Sequence, residues 1–231
     1  MQFLEARRMR DGPTRYGALA GVYHLLAAVL LLMVPHGAMA AASPRLILAF
    51  GDSLTAGYQL RPAESFPAQL EAALTKAGHS VLVHNAGVSG DTTTQGRARL
   101  NWVLTGLKAK PDLVILELGA NDMLRGQPVA TARGNLDAML TEFGRHGIPV
   151  ILAGMYATPN LGRVYATEFN AMFPALAKQH GATLYPFFMN GVIGGQGLQL
   201  GDGLHPSAAG VAVIVRGILP TVTAALDRLP K

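Results

Sequence analysis

The stretch LILAFGDSL, residues 46–54, joins a run of apolar residues to a short polar turn. Five consecutive apolar residues predict a strand that is buried on both faces, because a strand with one solvated face alternates apolar and polar positions. Such strands are typical of parallel sheets that helices cover on both sides. The turn Gly51-Asp52-Ser53 follows at the carboxyl end of the strand, the edge where open α/β sheets bind their ligands. The stretch therefore predicts an α/β fold and the position of a functional site.

Apolar runs and amphipathic segments alternate along the rest of the chain. Further strands are predicted at residues 81–83, 113–116, 150–153 and 183–185, and helices at residues 66–77, 100–107, 129–143, 165–176 and 211–222. This alternation indicates βαβ units, which build a parallel sheet with helices on both faces. The sequence contains no internal repeat and no linker, so we expect one α/β domain with five parallel strands over residues 41–231.

The first 40 residues differ from the rest of the chain. Four arginines between residues 7 and 15 precede an apolar run at residues 19–34, and the small residues Ala38 and Ala40 follow. This pattern is typical of a secretory signal peptide at residues 1–40, cleaved after Ala40. The alternative is an uncleaved membrane anchor, because the apolar run is just long enough to span a bilayer. Cleavage would leave a periplasmic or secreted protein with no stable membrane span.

The composition limits the classes of function. Half of the residues are hydrophobic and 14% are charged, which favours a folded domain over a disordered chain. The chain has no cysteine, which excludes disulfides and a lipid-bearing cysteine at the cleavage point. Removing residues 1–40, with four Arg, one Glu and one Asp, would lower the net charge from +5 to +3. This weak charge, with no basic run, argues against nucleic-acid binding.

Four polar, glycine-rich segments follow strands or precede the last helix. They are Gly51-Asp52-Ser53-Leu54, the stretch NAGVSGD at residues 85–91, Gly119-Ala120-Asn121-Asp122, and Asp202-Gly203-Leu204-His205-Pro206. Because the carboxyl ends of parallel strands meet at one edge of a sheet, we expect the segments to converge there. Their convergence is more informative than any one of them.

These segments resemble the four sequence blocks of the SGNH, or GDSL, hydrolase family. The family is named for a Ser, a Gly, an Asn and a His, which here are Ser53, Gly90, Asn121 and His205. Within it, the subgroup of multifunctional thioesterases, proteases, lysophospholipases and arylesterases is most similar in the stretches GDSLTAGY, SGDTTTQG, LELGANDMLRG, LYPFFM and DGLHP. The resemblance runs from Leu46 to Val215. It implies a three-layer α/β/α flavodoxin-like fold with strand order 2-1-3-4-5.

The chemistry of the residue types agrees with this resemblance. A serine hydroxyl becomes a good nucleophile only when a base takes its proton, and His205 can do this for Ser53. The second ring nitrogen of the histidine needs an acceptor, and Asp202, three residues earlier, can reach it across one turn. The resemblance further implies an oxyanion hole made by the backbone N–H groups of Ser53 and Gly90 and the side-chain amide of Asn121.

Several polar residues near these blocks are expected to be structural. Asp52 is predicted to support the Ser53 turn by accepting a hydrogen bond from nearby backbone, and Asp122 to be a scaffold residue. Among the remaining histidines, His84 lies nearest to the predicted site. No cluster of His, Asp and Glu has metal-ligand spacing, and no nucleotide-binding glycine motif is present, so we expect neither a metal nor another cofactor.

The sequence thus predicts a serine esterase that cleaves esters and thioesters of acyl chains. Segments 124–132 and 155–164 are expected to border the acyl pocket in this fold. One alternative is a carbohydrate acetylesterase of the same superfamily, and another is a flavodoxin-like binding protein without catalysis. The expected partner is a small acyl ester or a lipid, and the expected state is a monomer or weak oligomer.

Overall fold

A computed structural model describes residues 43–230. Its single sheet contains β1 (Arg45–Gly51), β2 (Val81–Gly87), β3 (Leu113–Glu117), β4 (Val150–Ala153) and β5 (Thr183–Tyr185). The spatial order is β2-β1-β3-β4-β5 and all neighbours are parallel. Both the five parallel strands and the strand order implied by the resemblance are therefore confirmed.

Within residues 43–230, seven α-helices alternate with these strands. They are α1 (Ser53–Ala56), α2 (Phe66–Lys76), α3 (Thr93–Gly106), α4 (Ala120–Leu124), α5 (Val129–Arg145), α6 (Arg163–His180) and α7 (Ala208–Asp227). Two short 3-10 turns lie at Pro62–Glu64 and Pro159–Leu161. Helices α2 and α7 pack together on one face of the sheet, whereas α3, α5 and α6 pack side by side on the other. The three-layer α/β/α prediction is confirmed.

The core lies against the two central strands. The four residues Ile47–Phe50 of β1 have no exposed surface, and all five residues of β3 are buried. Burial on both faces explains why these strands are continuous apolar runs. The apolar sequence of β1 and β3 thus brings their carboxyl ends to the middle of the sheet edge.

Several predicted elements were too short, and helix α3 and strand β2 show why. Helix α3 begins at Thr93, seven residues before the first predicted position, because Thr92 and Gln95 form a capping box at its start. Strand β2 continues to Gly87 through the polar residues His84 and Asn85. It tolerates them because it lies at the edge of the sheet, where the backbone N–H of Val83 donates to the Glu71 carboxylate instead of to another strand.

Helix α7 needs separate comment because of its composition. It is the one helix within residues 43–230 that is long and apolar enough to cross a membrane. In this fold, however, Val211, Ile214, Ile218 and Val222 are completely buried against the rest of the domain. Its apolarity is that of a core helix. The signal peptide predicted at residues 1–40 lies outside the described residues and stays a prediction.

Candidate active site

Ser53 lies in the tight turn between β1 and α1. The carboxylate Oδ1 of Asp52 accepts the backbone N–H of Leu54 at 3.0 Å and so caps the short helix that Ser53 begins. Gly51 leaves the room that this turn needs. A Cβ at Gly51 would lie 2.1 Å from the hydroxyl of Thr55 and 2.6 Å from the carbonyl oxygen of Glu117. The prediction that Asp52 supports the Ser53 turn by accepting a backbone hydrogen bond is confirmed.

Ser53, His205 and Asp202 form a continuous hydrogen-bonded line. The Nε2 atom of His205 lies 2.9 Å from Oγ of Ser53, and its Nδ1 atom lies 2.6 Å from Oδ2 of Asp202. The Ser53 residue is 8% exposed and lines a cavity. The structure thus brings the three residues into the arrangement required for general-base activation of a serine.

Asp202 is held as an anion by its local backbone. Its Oδ1 atom accepts the backbone N–H groups of His205 at 3.0 Å and Leu204 at 2.9 Å. These two bonds, followed by the bond to the His205 ring, lower the pKa of Asp202 to about 2. The carboxylate is therefore charged at any ordinary working pH and can stabilise an imidazolium on His205.

Two contacts that the sequence did not predict fix the histidine. The Tyr58 ring packs against the His205 ring with centroids 4.4 Å apart. The backbone carbonyl of His205 accepts the N–H of Leu200 at 2.8 Å, which ties the loop before α7 to the preceding turn. Tyr58 belongs to the quoted stretch GDSLTAGY, but an aromatic residue five positions after the serine carries no signal of its own about packing on a distant histidine.

The backbone N–H groups of Ser53 and Gly90 are the predicted oxyanion donors. Within residues 43–230, neither of their N–H groups has a backbone or side-chain acceptor. Gly90 has a φ of 87°, a conformation that favours glycine, and its carbonyl accepts Nη2 of Arg125 at 2.7 Å. The next residue, Asp91, pairs with Arg99 at 2.6 Å, and Arg99 also donates to the Gly51 carbonyl at 2.9 Å. The loop is thus anchored to the end of β1.

Asn121 reaches the same place from α4, but its amide is already engaged. Its Nδ2 atom donates to Oδ2 of Asp52 at 3.1 Å and to the carbonyl of Asp91 at 3.0 Å. An amide nitrogen carries two hydrogens, so an oxyanion would have to share or displace one of these bonds. The two hydrogen bonds hold the Asn121 amide between the turn that contains Asp52 and the loop that contains Asp91.

The scaffold prediction for Asp122 agrees with its contacts. Asp122 is buried and accepts both the backbone N–H and the hydroxyl of Thr93, at 2.8 and 2.6 Å, which links α4 to the start of α3. His84 lies elsewhere, on the exposed edge strand β2, in a surface groove beside Trp102. It is separated from the candidate site.

A buried glutamate, Glu117, lies behind the Ser53 turn and was not predicted. It ends β3 directly beside Gly51. Burial, and next the charge of Asp52, raise the pKa of Glu117 well above its usual value. Burial also raises the pKa of Asp52 to about 6. A lone Glu at the end of an apolar run gives no hint in sequence of a carboxyl neighbour 65 residues away.

An apolar cavity of about 520 Å³ opens beside Ser53, Asn121 and His205. Its walls are mainly apolar side chains, including Met123, Leu124, Met155, Phe187, Met189 and Ile193. Of the two predicted bordering segments, only Leu124 from the first and residues 155–159 from the second line the cavity. The wall from Phe187 to Ile193 was not predicted. The composition of this cavity suits an apolar group next to Ser53.

Within the part of the chain that the structure describes, no three His, Asp or Glu side chains come together in a way that could hold a metal ion. The expectation that this protein needs no metal and no other cofactor stays a prediction. The residues that surround Ser53 are those of acid–base and hydrogen-bond chemistry.

The sequence model of the GDSL-like lipase/acylhydrolase family matches residues 49–213, which hold all four polar segments. The chain belongs to this family. It is 41% identical over 160 residues to an arylesterase of Vibrio mimicus, which covers 69% of this chain and 79% of the relative. It is 38% identical over 168 residues to the thioesterase 1/protease 1/lysophospholipase L1 of Escherichia coli K12, with 72% and 78% covered.

Solved structures of GDSL-like hydrolases agree with the fold. The crystal structure of AlinE4, an SGNH-hydrolase family esterase, is 48% identical to the chain, with a TM-score of 0.68. The match covers 80% of this chain and 97% of AlinE4. With relatives named esterase, arylesterase and thioesterase, this GDSL-like protein is a hydrolase of ester bonds in small-molecule substrates.

Proposed function

We propose that Ser53, His205 and Asp202 are the catalytic residues of this hydrolase and act through an acyl-enzyme. Ser53 Oγ attacks the carbonyl carbon of the ester while His205 takes the hydroxyl proton. The bond to the leaving group then breaks, and His205 returns the proton to the departing alcohol or thiol. Water attacks the acyl group, again giving a proton to His205, and the acid and the free Ser53 hydroxyl are regenerated. The 2.9 Å contact between Ser53 Oγ and His205 Nε2 is the observation that carries this proposal.

The tetrahedral intermediate needs donors for its negative oxygen. The backbone N–H groups of Ser53 and Gly90 supply two, since neither has another acceptor among residues 43–230. Asn121 is the third, provided that the oxyanion draws one amide hydrogen away from Asp52 or from the Asp91 carbonyl. A charged oxygen is a stronger acceptor than a neutral carbonyl, which favours exchange of the Asp91 bond.

The proposed substrates are esters and thioesters whose acyl group is an aliphatic or aromatic chain. The cavity beside Ser53 has space for several methylene groups and a wall of Met, Leu, Ile and Phe side chains. Burying one methylene group contributes about 0.8 kcal/mol, so such a wall favours longer chains over acetate. The name of the Escherichia coli relative supports thioesters and lysophospholipids as substrates.

Two other functions fit these features less well. A carbohydrate acetylesterase needs a small acyl site next to a polar surface that binds sugar hydroxyls, whereas the cavity wall here is largely apolar. A binding protein without catalysis has no use for the hydrogen-bonded line from Ser53 to Asp202. Neither alternative has a specific observation in its favour.

Where the enzyme works is a separate proposal. The basic and apolar pattern of residues 1–40 supports export to the periplasm or beyond, with cleavage after Ala40. An exported enzyme would meet lipid esters and lysophospholipids more readily than intracellular acyl-CoA. We further propose that it works as a monomer or weak oligomer. N-terminal sequencing of the secreted form and its elution on size exclusion test these two points.

Two measurements test the enzymatic proposal. A fluorophosphonate probe should label the wild-type protein at Ser53 and fail to label Ser53→Ala, and labelling of the variant would contradict the assignment of the nucleophile. Rates on p-nitrophenyl esters from acetate to palmitate should rise beyond acetate. A profile confined to acetate would instead support the carbohydrate acetylesterase. A folded protein inert to every ester and to the probe would support the binding protein.

A further inference from the structure

Glu117 is a buried carboxyl group to which no cation is bonded among residues 43–230. It is 1% exposed at the end of β3, next to Gly51 on β1. Its hydrogen-bond partners are Thr55 and Asp52, and neither carries a positive charge. An ionised carboxyl in such a place is strongly disfavoured, so a buried carboxyl without a cation takes up a proton instead.

The two oxygens of Glu117 have different surroundings. Oε2 accepts the hydroxyl of Thr55 at 2.8 Å and the backbone N–H of Asp52 at 3.4 Å. Oε1 is buried and receives no donor from the described residues. This pattern fits a carboxylic acid in which Oε2 is the carbonyl oxygen and Oε1 carries the proton. Contact with the Asp52 side chain contributes to the raised pKa of Glu117, so the Asp52 carboxylate can accept that proton.

The Asp52 side chain is hydrogen-bonded to two elements of the candidate active site. Its Oδ1 atom holds the N–H of Leu54 at the start of α1, and its Oδ2 atom holds the amide of Asn121. Asp52 has no exposed surface. Each oxygen of the Asp52 carboxylate already accepts a hydrogen bond. A third hydrogen bond, donated by Glu117, would therefore restrict rotation of the Asp52 side chain further.

We propose that Glu117 is a positioning residue of the hydrolase, which shares one proton with Asp52 and thereby fixes the side chain that orients Asn121 and the Ser53 turn. This inference rests on the proposed roles of Ser53 and Asn121. The order of the two pKa values supports it, because the pKa of Glu117 is raised well above its usual value and that of Asp52 to about 6. At neutral pH the pair then carries one proton and one negative charge.

Other charged groups surround the pair. From the loop after β2 and from α3 come Asp91 and Arg99, which are paired with each other. From α4 comes Asp122, which is held by Thr93. From the loop before α7 comes His205, whose positive form would lower the pKa of Asp52. None of them donates a hydrogen bond to Glu117.

Two substitutions distinguish the effect of the Glu117 proton from the effect of the volume that its side chain fills. Glu117→Gln keeps the shape, an oxygen for Thr55 and a donor for Asp52, so kcat should remain close to that of the wild type. Glu117→Leu keeps the volume but removes the donor, so kcat should fall about 10- to 100-fold with little change in KM, because a poorly oriented oxyanion donor weakens the transition state and not ground-state binding. Glu71→Gln on α2, away from the cavity, is the matched control and should keep the wild-type kcat.

The shared proton also has a signature in stability. A group whose pKa is raised in the folded state contributes stability at low pH and loses it as the pH rises. The melting temperature of the wild type should therefore fall relative to that of Glu117→Gln between about pH 5 and pH 8. A Glu117 that merely fills space in the ionised form, paired with a cation, would give the opposite trend.

Three outcomes would overturn the inference. They are a folded Glu117→Leu with wild-type kcat, a Glu117→Gln as impaired as Glu117→Leu, and melting temperatures of wild type and Glu117→Gln that stay parallel across the pH range. If Glu117→Leu does not fold, Glu117→Met takes its place, and the pH series on Glu117→Gln decides on its own. Failure of the fluorophosphonate probe to label the wild type would instead refute the proposed function, while the pH series would still report on the carboxyl pair.

Discussion

Ser53 and His205 are 152 positions apart in the chain, yet Oγ of the first lies 2.9 Å from Nε2 of the second. The contact joins the turn after β1 to the loop before α7, and Asp202 completes the line at 2.6 Å from Nδ1. Because the imidazole is held from both sides, its orientation and its tautomer are set before a substrate arrives.

The first prediction concerns Asp202. Asp202→Asn should lower kcat about 10⁴-fold with little change in KM, because an amide in this position holds the wrong tautomer of His205 and cannot stabilise its cation. Steady-state kinetics on a p-nitrophenyl ester measure this. Asp137→Asn, on the outer side of α5, is the matched control and should leave the rate unchanged. A loss below tenfold in Asp202→Asn would contradict the orienting role.

The second prediction is the pH dependence that Asp202 gives to stability. Its pKa is lowered to about 2 in the folded protein, so its stabilising contribution is present above the ordinary Asp pKa of about 4 and is lost as the pH falls towards 2. Below about pH 5, the difference in melting temperature between wild type and Asp202→Asn should shrink as the pH falls. Thermal denaturation in a series of acidic buffers measures it, and a difference that grows below about pH 5 would contradict the assignment.

The third prediction concerns Asn121. Asn121→Ala should lower kcat about 100- to 1000-fold, since an oxyanion donor acts mainly in the transition state. Asn101→Ala, an exposed position on α3, is the control and should behave like the wild type. Because the Asn121 amide also bonds to Asp52 and to the Asp91 carbonyl, a drop in melting temperature is expected as well. An unchanged kcat would mean that the two backbone N–H groups suffice.

The fourth prediction concerns the acyl cavity. Ala157 lines it next to Tyr156, so Ala157→Phe should fill space that a long acyl chain needs. We expect kcat/KM for octanoate and longer esters to fall at least about tenfold, the equivalent of two lost methylene contacts, while acetate is little affected. Val164→Phe is the control, since Val164 is 72% exposed and does not line the cavity. An equal loss on all esters would place the acyl chain elsewhere.

Buried and local features were predictable from the sequence. The bounds of β4 and β5 were predicted to the residue, and the order of the strands followed from the resemblance. Asp202 and His205 were predicted as partners because they are three residues apart, within one loop. The role of Asp52 in the turn followed from the same local logic, since Leu54 is two residues away.

Features that depend on distant packing were missed. Glu117 meets Asp52 only because β3 lies beside β1, and Tyr58 meets His205 only because the last loop folds over α1. The wall from Phe187 to Ile193 follows β5 without any periodic pattern. Nor did the sequence indicate that the amide of Asn121 is occupied by Asp52 and Asp91. Each of these contacts depends on the direction of a side chain in the folded protein, which the spacing of residues in the sequence does not predict.

The edge position of β2 has a consequence for the behaviour of the protein at high concentration. An open edge strand is a template on which a second chain can pair and aggregation can start. Here the N–H of Val83 is taken by Glu71 and that of Gly87 by the side chain of Asn85, at 2.7 and 3.0 Å. The opposite edge, β5, is only three residues long. Both protections would serve a protein that is exported, as proposed, and that folds without disulfides, because neither edge offers a long row of free donors to a neighbouring molecule.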